Sequence, residues 1–188
     1  MVMSSTAYDQ ARLRKIAHFA DGPEVLDIGY AQQPNPYLKA ERRVGLDLND
    51  ANCDYEEMIC GDALRLDQSL GGRRFDTIIA AEFIEHVENP YDFLRSLKPY
   101  LKPHGKVIIS TPNPVAFPTV FLEWVRSHRF FYTSEHKYYI APRWVERIID
   151  QSGFDITAIS GVGIWPFAFP SIAPSSLCYQ VIYCFSPR

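Results

Sequence analysis

Short apolar runs alternate with amphipathic segments along most of the chain. A continuous apolar run bounded by turn residues is typical of a buried parallel strand, whereas apolar residues at helical spacing are typical of a helix packed on a sheet. The alternation predicts an α/β fold: a single Rossmann-like domain with a seven-stranded, mostly parallel sheet and helices on both faces. Neither a repeat nor a linker divides residues 1–188, so we expect one domain.

The bounds of the predicted elements come from the apolar runs and from the turn residues between them, such as Gly71-Gly72 and Pro103-His104-Gly105. The predicted strands are 24–28, 43–47, 55–60, 75–81, 106–110, 154–159 and 177–185. The predicted helices are 8–20, 36–41, 90–100, 117–125 and 144–152.

The first predicted strand has an acid, Asp27, near its end and stops at Gly29. Eighteen residues after that glycine comes Asp47, at the end of the second predicted strand. An acid about 20 residues beyond such a turn is the spacing at which a nucleotide-binding βαβ unit reaches a ribose hydroxyl. The alternative is that two core strands carry these acids by chance.

Each of the first four predicted strands has an acid at or near its carboxyl end, where an open parallel sheet binds its ligand. The four acids are Asp27, Asp47, Asp62 and Glu82. They suit a ligand rich in hydrogen-bond donors, such as ribose hydroxyls, an adenine amino group or an ammonium. They do not suit a polyphosphate, and the GxxxxGK[ST] phosphate motif is absent. The pattern therefore predicts a nucleoside that carries positive charge.

Composition narrows the class of protein. A chain with 47% hydrophobic and 22% charged residues is typical of a soluble globular protein, and a net charge of −3 without a dense Lys/Arg run argues against nucleic acid as a partner. The four cysteines form no CxxC pair, so we expect no metal site, free thiols and a cytoplasmic location. No apolar run approaches the ~18 residues of a transmembrane segment.

Several segments together resemble the class I S-adenosylmethionine-dependent methyltransferases. Val25 to Gly29 resembles the first motif of that family, and Gly61-Asp62-Ala63 resembles its adenine-reading segment. The most specific match is Phe75 to Val87, which is similar to the strand-four motif of the branch that includes ubiquinone-biosynthesis methyltransferases. Leu101 to Lys106 matches that branch as well, and the resemblance covers about residues 20 to 160.

The resemblance implies S-adenosylmethionine as the cofactor. It assigns Asp47 to the ribose and Asp62 to the adenine amino group, and it places Asp27 and Glu82 near the methionine end. The implied cofactor-binding residues are Asp27, Gly29, Tyr30, Ala31, Asp47, Leu48, Asp62, Ala63 and Glu82. Each acid has a structural alternative as a cap or turn residue.

The implied function is methyl transfer to a small, apolar or aromatic acceptor. His86 and His136 are the candidates for a proton acceptor, because histidine titrates near neutral pH; either could instead be a structural histidine. Residues 115–135 interrupt the alternation of strands and helices, so we predict an insertion that forms a lid over the acceptor site together with 161–174. A core position for 117–125 and weak contact with a membrane surface are the alternatives.

One departure from the family affects the first turn. Ala31 and Gln33 stand where the family has further glycines, which let the backbone approach the cofactor. A methyltransferase-like protein that only binds is therefore one alternative function. An NAD-dependent oxidoreductase is another, although the full glycine fingerprint and a Tyr-x-x-x-Lys pair are both missing.

Overall fold

The computed structural model describes residues 7–125, 136–163 and 175–188. The helices are α1 (Ala7–Phe19), α2 (Leu66–Leu70), α3 (Pro90–Leu97), α4 (Phe117–Val125) and α5 (Pro142–Gln151). The strands are β1 (Glu24–Ile28), β2 (Arg42–Asp47), β3 (Glu57–Cys60), β4 (Phe75–Ala81), β5 (Leu101–Pro112), β6 (Phe154–Val162) and β7 (Gln180–Pro187). Short 3-10 helices span Tyr30–Gln32, Ile84–His86, Lys98–Tyr100 and Ser175–Leu177.

The strands form one seven-stranded sheet in the order β3-β2-β1-β4-β5-β7-β6. The pairs from β3 to β5 are parallel, whereas β7 runs antiparallel to both of its neighbours, β5 and β6. The chain leaves β1 towards β2 and returns to its other side as β4, so the strand order reverses at β1. In an open sheet this reversal opens a crevice beyond the carboxyl ends of the strands.

Apolar side chains pack on both faces of the sheet, as the period of two along a strand requires. On one face Leu26 and Ile78 join a cluster that includes Leu94 of α3 and Ile149 of α5. On the other face the alternate strand positions join a second cluster with Ile16 of α1. The prediction of an α/β sheet covered on both faces is therefore confirmed.

The predicted helix 36–41 is wrong. Instead the chain makes the 3-10 helix Tyr30–Gln32 and then runs irregularly to β2. A stretch of six residues is too short to form a stable helix by itself, and among residues 36–41 only Leu38 is buried. The Asn35 side-chain oxygen accepts a hydrogen bond from the Tyr37 N–H (3.0 Å), which closes a turn instead.

Other bounds differ in detail. The sequence did not predict α2, which has five residues, only two of them buried apolar residues, and so carries little periodic signal. The fifth strand extends to Leu101–Pro112, and the last begins at Gln180 rather than at 177. Part of the predicted loop 161–174 lies outside the described residues. None of the helices that the structure describes has the length and apolarity to cross a membrane.

Two glycines provide a matched test of packing beside β1. A Cβ on Gly45 would lie 2.7 Å from ring atoms of Tyr30, whereas one on Gly72 would meet nothing within 4 Å. We expect Gly45→Ala to lower the free energy of unfolding by about 1–3 kcal/mol, the usual cost of overpacking a core. Gly72→Ala is the control and should change it by less than about 0.5 kcal/mol. Urea unfolding measures both, and equal stabilities of the two variants would contradict this packing.

Candidate active site

A cavity of about 560 Å³ opens at the carboxyl ends of β1, β2 and β4. Of the residues that the sequence predicted, Asp27, Gly29, Tyr30, Asp47, Glu82 and His86 line it. Ala31, Leu48, Asp62, Ala63 and His136 are not among its lining residues. The first group comes from three different strand ends, which shows that the fold brings together side chains that are far apart in sequence.

The turn after β1 holds Asp47 in place. Gly29 adopts the left-handed backbone conformation (φ +76°), in which a side chain would be strained, and its N–H donates to the Leu46 carbonyl (2.8 Å). The Ala31 N–H then donates to one Asp47 carboxylate oxygen (3.2 Å), and the Asn49 N–H donates to the other (2.8 Å). A carboxylate held in this way keeps lone pairs for a ligand that donates hydrogen bonds.

The backbone does not require glycine at Ala31 or Gln33. Neither residue has a positive φ, and Gln33 has φ −152° and ψ 76°. The Gln33 N–H donates to the Tyr30 carbonyl (3.0 Å) and so closes the 3-10 helix. The departures from the family's glycine pattern therefore introduce no backbone strain.

Asp27 is buried beneath the cavity and bonded to a tyrosine that the sequence did not single out. The Tyr55 hydroxyl donates to the Asp27 carboxylate (2.6 Å) and accepts from the Asn35 N–H (2.8 Å). Burial raises the pKa of Asp27 to about 7, although the Tyr55 hydrogen bond and the Arg12 charge act in the opposite direction. Asp27 thus connects β1 to the irregular segment before β2.

Arg12 of α1 is the main residue that sequence reasoning missed. Its side chain lines the cavity and only 5% of the residue is exposed. One guanidinium nitrogen, Nη1, lies 3.6 Å from a Glu82 carboxylate oxygen, and the other, Nη2, lies 3.8 Å from Asp9 and donates to the Gln33 amide oxygen. The available signal was that Arg12 precedes Ile16 by one helical turn, which places it on the buried face of α1.

Glu82 begins the segment after β4 in a strained conformation, with φ +50°. Two hydrogen bonds hold it there: its N–H donates to the Ser110 carbonyl (2.9 Å), and the Ser110 hydroxyl donates to its carboxylate (2.8 Å). The Gln180 side-chain amide donates to the second carboxylate oxygen (3.2 Å). A non-glycine residue in this region costs free energy, and such strain is characteristic of functional sites.

Glu85, His86 and His136 form a cluster beside the cavity. Residues 136–138 dock on the 3-10 helix Ile84–His86, since the Lys137 N–H donates to the Glu85 carbonyl (2.9 Å). The imidazole rings of His86 and His136 meet edge to face with centroids 4.8 Å apart. The two predicted histidines, 50 positions apart in sequence, are therefore neighbours.

Glu85, which the sequence did not single out, is 1% exposed, and neither of its carboxyl oxygens reaches hydrogen-bond geometry with a described residue. Burial raises its pKa to about 8, with a further increase from the Glu82 charge and a partial offset from its own backbone N–H and from the Arg12 charge. A carboxyl group with this pKa exchanges a proton near neutral pH.

The ligand atoms of Glu85, His86 and His136 all lie within 4.8 Å of one another. Two imidazoles and a carboxylate can accept a proton, and they are also a donor set that binds divalent zinc. The sequence-based expectation of no metal rested on cysteine spacing alone, and it stays a prediction.

The end of β3 presents the other predicted adenine-side residues. The Asp62 carboxylate accepts from the Leu64 N–H (2.8 Å), which makes it a turn acceptor in the unliganded chain. Ala63 is buried, whereas Leu48 and Leu64 are exposed. Two exposed leucines that follow the ends of β2 and β3 offer an apolar surface at this edge of the sheet.

The charges around the cavity favour a cationic ligand. Among the described residues, its lining includes four acids, Asp9, Asp27, Asp47 and Glu82, but only one arginine or lysine, Arg12. S-adenosylmethionine has a sulfonium and an ammonium against a single carboxylate, so this distribution of charge matches that cofactor.

Comparison with known proteins agrees with this geometry. The sequence model of the family described as "Methyltransferase domain" matches residues 5–159. The chain belongs to this methyltransferase family. The predictions of the family, of a methyltransferase and of S-adenosylmethionine as its cofactor are confirmed at the level of the family.

Curated relatives match part of the chain at low sequence identity. It is 28% identical over 139 residues to a ubiquinone biosynthesis O-methyltransferase of Cereibacter sphaeroides, which covers 71% of this chain and 52% of the relative. The mitochondrial ubiquinone biosynthesis O-methyltransferase of Arabidopsis thaliana is also 28% identical, over 109 residues, which cover 56% of this chain and 33% of the relative. The chain thus spans about half or less of the length of these relatives.

Two solved structures share the fold. An S-adenosylmethionine-dependent methyltransferase from Archaeoglobus fulgidus superimposes with a TM-score of 0.66 at 17% identity, over 94% of this chain and 91% of that chain. Magnesium protoporphyrin IX methyltransferase from Synechocystis, with bound S-adenosylhomocysteine, also gives 0.66 at 15% identity, over 96% of this chain and 84% of that chain. These likenesses confirm the fold class.

The raised pKa of Glu85 predicts a pH dependence of stability. Between its ordinary value of 4.5 and about 8 the folded chain holds this proton while the unfolded chain has released it. The free energy of unfolding must therefore fall as the pH rises through that interval, and Asp27 acts in the same direction between 3.8 and about 7. We expect Glu85→Gln to reduce the decline, most clearly above pH 7.

Urea unfolding between pH 5 and pH 8.5 measures this effect. The exposed Glu41→Gln is the matched control and should follow the wild-type profile. Parallel profiles for wild type and Glu85→Gln would contradict a carboxyl group that stays protonated in the folded chain.

Proposed function

We propose that the protein transfers the methyl group of S-adenosylmethionine to a small acceptor that binds beside His86. The observation that carries the proposal is that one cavity is lined both by Asp47, at the end of β2, and by Arg12 and Glu82, with Glu82 following β4 on the other side of β1. That order matches a ligand with a ribose diol at one end and a charged amino acid at the other.

The cofactor lies along the strand ends in this proposal. Asp47 accepts hydrogen bonds from the ribose hydroxyls, and the adenine rests between the exposed Leu48 and Leu64, with Asp62 as the partner of its amino group. Ala63 lies beside the adenine. The turn formed by Gly29, Tyr30 and Ala31 runs alongside the ribose.

The methionine end lies towards α1. Arg12 pairs with the carboxylate of the ligand, and the Glu82 and Asp27 carboxyl groups face its ammonium. The Nε–H of Arg12 is buried and has no acceptor among the described residues, so this guanidinium is not saturated. An arginine is well suited to bind a carboxylate with two parallel hydrogen bonds.

The chemistry requires alignment more than activation. The sulfonium already makes the methyl group electrophilic, so the chain mainly has to hold the acceptor atom in line with the carbon–sulfur bond, which by itself can remove several kcal/mol from the barrier. A hydroxyl acceptor also loses a proton. We assign this proton to the cluster of Glu85, His86 and His136, in which the raised pKa of Glu85 lies near neutral pH.

An apolar or aromatic acceptor is supported by the exposed side chains that follow β5. Trp124 is 85% exposed, and Val115, Val120, Phe121 and Val125 are exposed as well. These side chains favour the hypothesis of a lid, or of weak contact with a membrane surface, over a core position. Residues 126–135 of the predicted lid lie outside the described residues.

A cytoplasmic location belongs to the same proposal. None of the four cysteines, Cys53, Cys60, Cys178 and Cys184, forms a disulfide, which is the state expected of thiols in a reducing compartment.

Calorimetric titration with S-adenosylhomocysteine and with NAD tests the proposal against its alternatives. We expect saturable heat with S-adenosylhomocysteine and none with NAD. Heat from NAD alone would favour an oxidoreductase, and heat from neither ligand would contradict a methyltransferase. Binding of the cofactor product without turnover of any hydroxyl or amine acceptor would favour a protein that only binds.

Removal of the Asp47 carboxylate tests the orientation of the cofactor. We expect Asp47→Ala to weaken S-adenosylhomocysteine binding by about 1–3 kcal/mol, because hydrogen bonds to the ribose are lost. Asp67→Ala removes an exposed acid of α2 and is the control, with unchanged affinity. Calorimetry measures both. An unchanged affinity for Asp47→Ala would refute the assignment.

Limited trypsin digestion tests the lid. The sequence offers cleavage after Arg126 and Arg129, and we expect both cuts to slow when S-adenosylhomocysteine and an acceptor are present. Arg73, which precedes β4 at the opposite end of the sheet, is the internal control and should be cut at the same rate throughout. Equal rates at Arg126 with and without ligands would contradict a lid.

A further inference from the structure

Gln33 stands at a position where the family's turn has a glycine, yet its side chain makes a specific contact in the cavity. The Gln33 amide oxygen accepts a hydrogen bond from an Arg12 guanidinium nitrogen. We propose that Gln33 is a positioning residue, which orients Arg12 to receive the carboxylate of the cofactor without neutralising its charge. This inference rests on the proposed function and deepens it.

The turn that contains Gln33 is anchored by the side chain and the carbonyl of Tyr30. The Tyr30 side chain is buried against Gly45, and the Gln33 N–H donates to the Tyr30 carbonyl (3.0 Å). The turn is therefore anchored on β2 at Tyr30, three residues before the Gln33 side chain that meets Arg12. Gln33 consequently offers its oxygen from a fixed backbone rather than from a freely moving loop.

The other partners of Arg12 among the described residues lie farther away. The Ser110 hydroxyl lies 3.4 Å from Nη1, and the carboxylates of Glu82 and Asp9 lie 3.6 and 3.8 Å from their nearest guanidinium nitrogens. A charge-assisted hydrogen bond has a length of about 2.7–2.9 Å. Arg12 is therefore committed to neither carboxylate, whereas it donates a hydrogen bond to the Gln33 amide oxygen.

A glutamine oxygen accepts a hydrogen bond but has no formal charge, so Arg12 keeps its positive charge for an incoming anion. A carboxylate at position 33 would form an ion pair with Arg12 and compete with the ligand. A glycine at this position would leave Arg12 free to move towards Glu82 or Asp9, which would also hide it from the ligand. Gln33 thus gives this turn a role that the glycine of the family cannot perform.

The test compares two ligands that differ only in the carboxylate. S-adenosylhomocysteine has it, whereas its decarboxylated analogue, S-adenosyl-3-thiopropylamine, keeps the nucleoside, the sulfur and the ammonium. By calorimetry we expect Gln33→Glu to lower the affinity for S-adenosylhomocysteine at least about tenfold, which is the effect of losing a hydrogen bond to a charged group. Binding of the analogue should change by less than about twofold, within the error expected for an uncoupled site.

Gln33→Leu is the second variant, because it removes the acceptor without adding charge and should show the same selectivity for the ligand with the carboxylate. Gln10→Glu adds the same negative charge at an exposed position of α1 and is the control for the long-range electrostatic effect of that charge. It should leave the affinities for both ligands unchanged. In an Arg12→Ala background, Gln33→Glu should have no further effect on S-adenosylhomocysteine.

Three results would overturn the inference. Equal weakening of both ligands would mean that Gln33 acts only on the structure of the turn. Unchanged binding of S-adenosylhomocysteine in both Gln33 variants would mean that it does not position Arg12. A wild-type chain that binds neither ligand would overturn the proposed function and this inference together, which distinguishes that failure from the other two.

Discussion

The packing of Tyr30 over Gly45 is the contact on which the site depends. Because Gly45 has no side chain, the Tyr30 ring lies directly on β2, and it stacks on Tyr55 with ring centroids 5.6 Å apart. The Tyr55 hydroxyl in turn joins Asp27 to Asn35. The turn after β1 is thereby fixed on two strands, so its N–H groups and side chains reach the cavity from a rigid support.

Two features of the site follow from that support. The Ala31 N–H donates to Asp47, and the Gln33 amide oxygen accepts from Arg12. One short turn therefore contacts two charged residues that line the cavity. A rigid support of this kind reduces the conformational entropy that the protein loses when a ligand binds, because fewer of its groups have to be ordered. The turn therefore replaces additional glycines with side-chain contacts while its backbone stays unstrained.

The sequence predicted the parts of this structure that are local in origin. Buried strands such as β1 and β4 are continuous apolar runs, and the acids at their ends are visible in the sequence. The spacing from Ile16 could place Arg12 on the buried face of α1, but the roles of Arg12 and Gln33 could not be predicted, because they depend on a contact between α1 and the turn. The helix expected at 36–41 does not form, because six residues are too few for a stable helix and only Leu38 among them is buried against the rest of the chain. The pairing of His86 with His136 is likewise tertiary.

Two buried acids of the site, Asp27 and Glu85, lower the free energy of unfolding as the pH rises. Burial raises the pKa of Asp27 to about 7 and of Glu85 to about 8, so both carboxyl groups disfavour the folded chain as the pH rises past their ordinary range. The apolar clusters on both faces of the sheet offset this cost. A site that is destabilising on its own is expected where ionisable groups are kept out of water for binding or proton transfer.

We propose that the cavity holds S-adenosylmethionine with its ribose at Asp47 and its amino acid at Arg12. A crystal structure of the complex with S-adenosylhomocysteine is the decisive measurement. We expect both ribose hydroxyls within hydrogen-bond distance of the Asp47 carboxylate and the ligand carboxylate on the Arg12 guanidinium. A ligand bound outside the cavity, or one lying in the opposite direction along the strand ends, would contradict it.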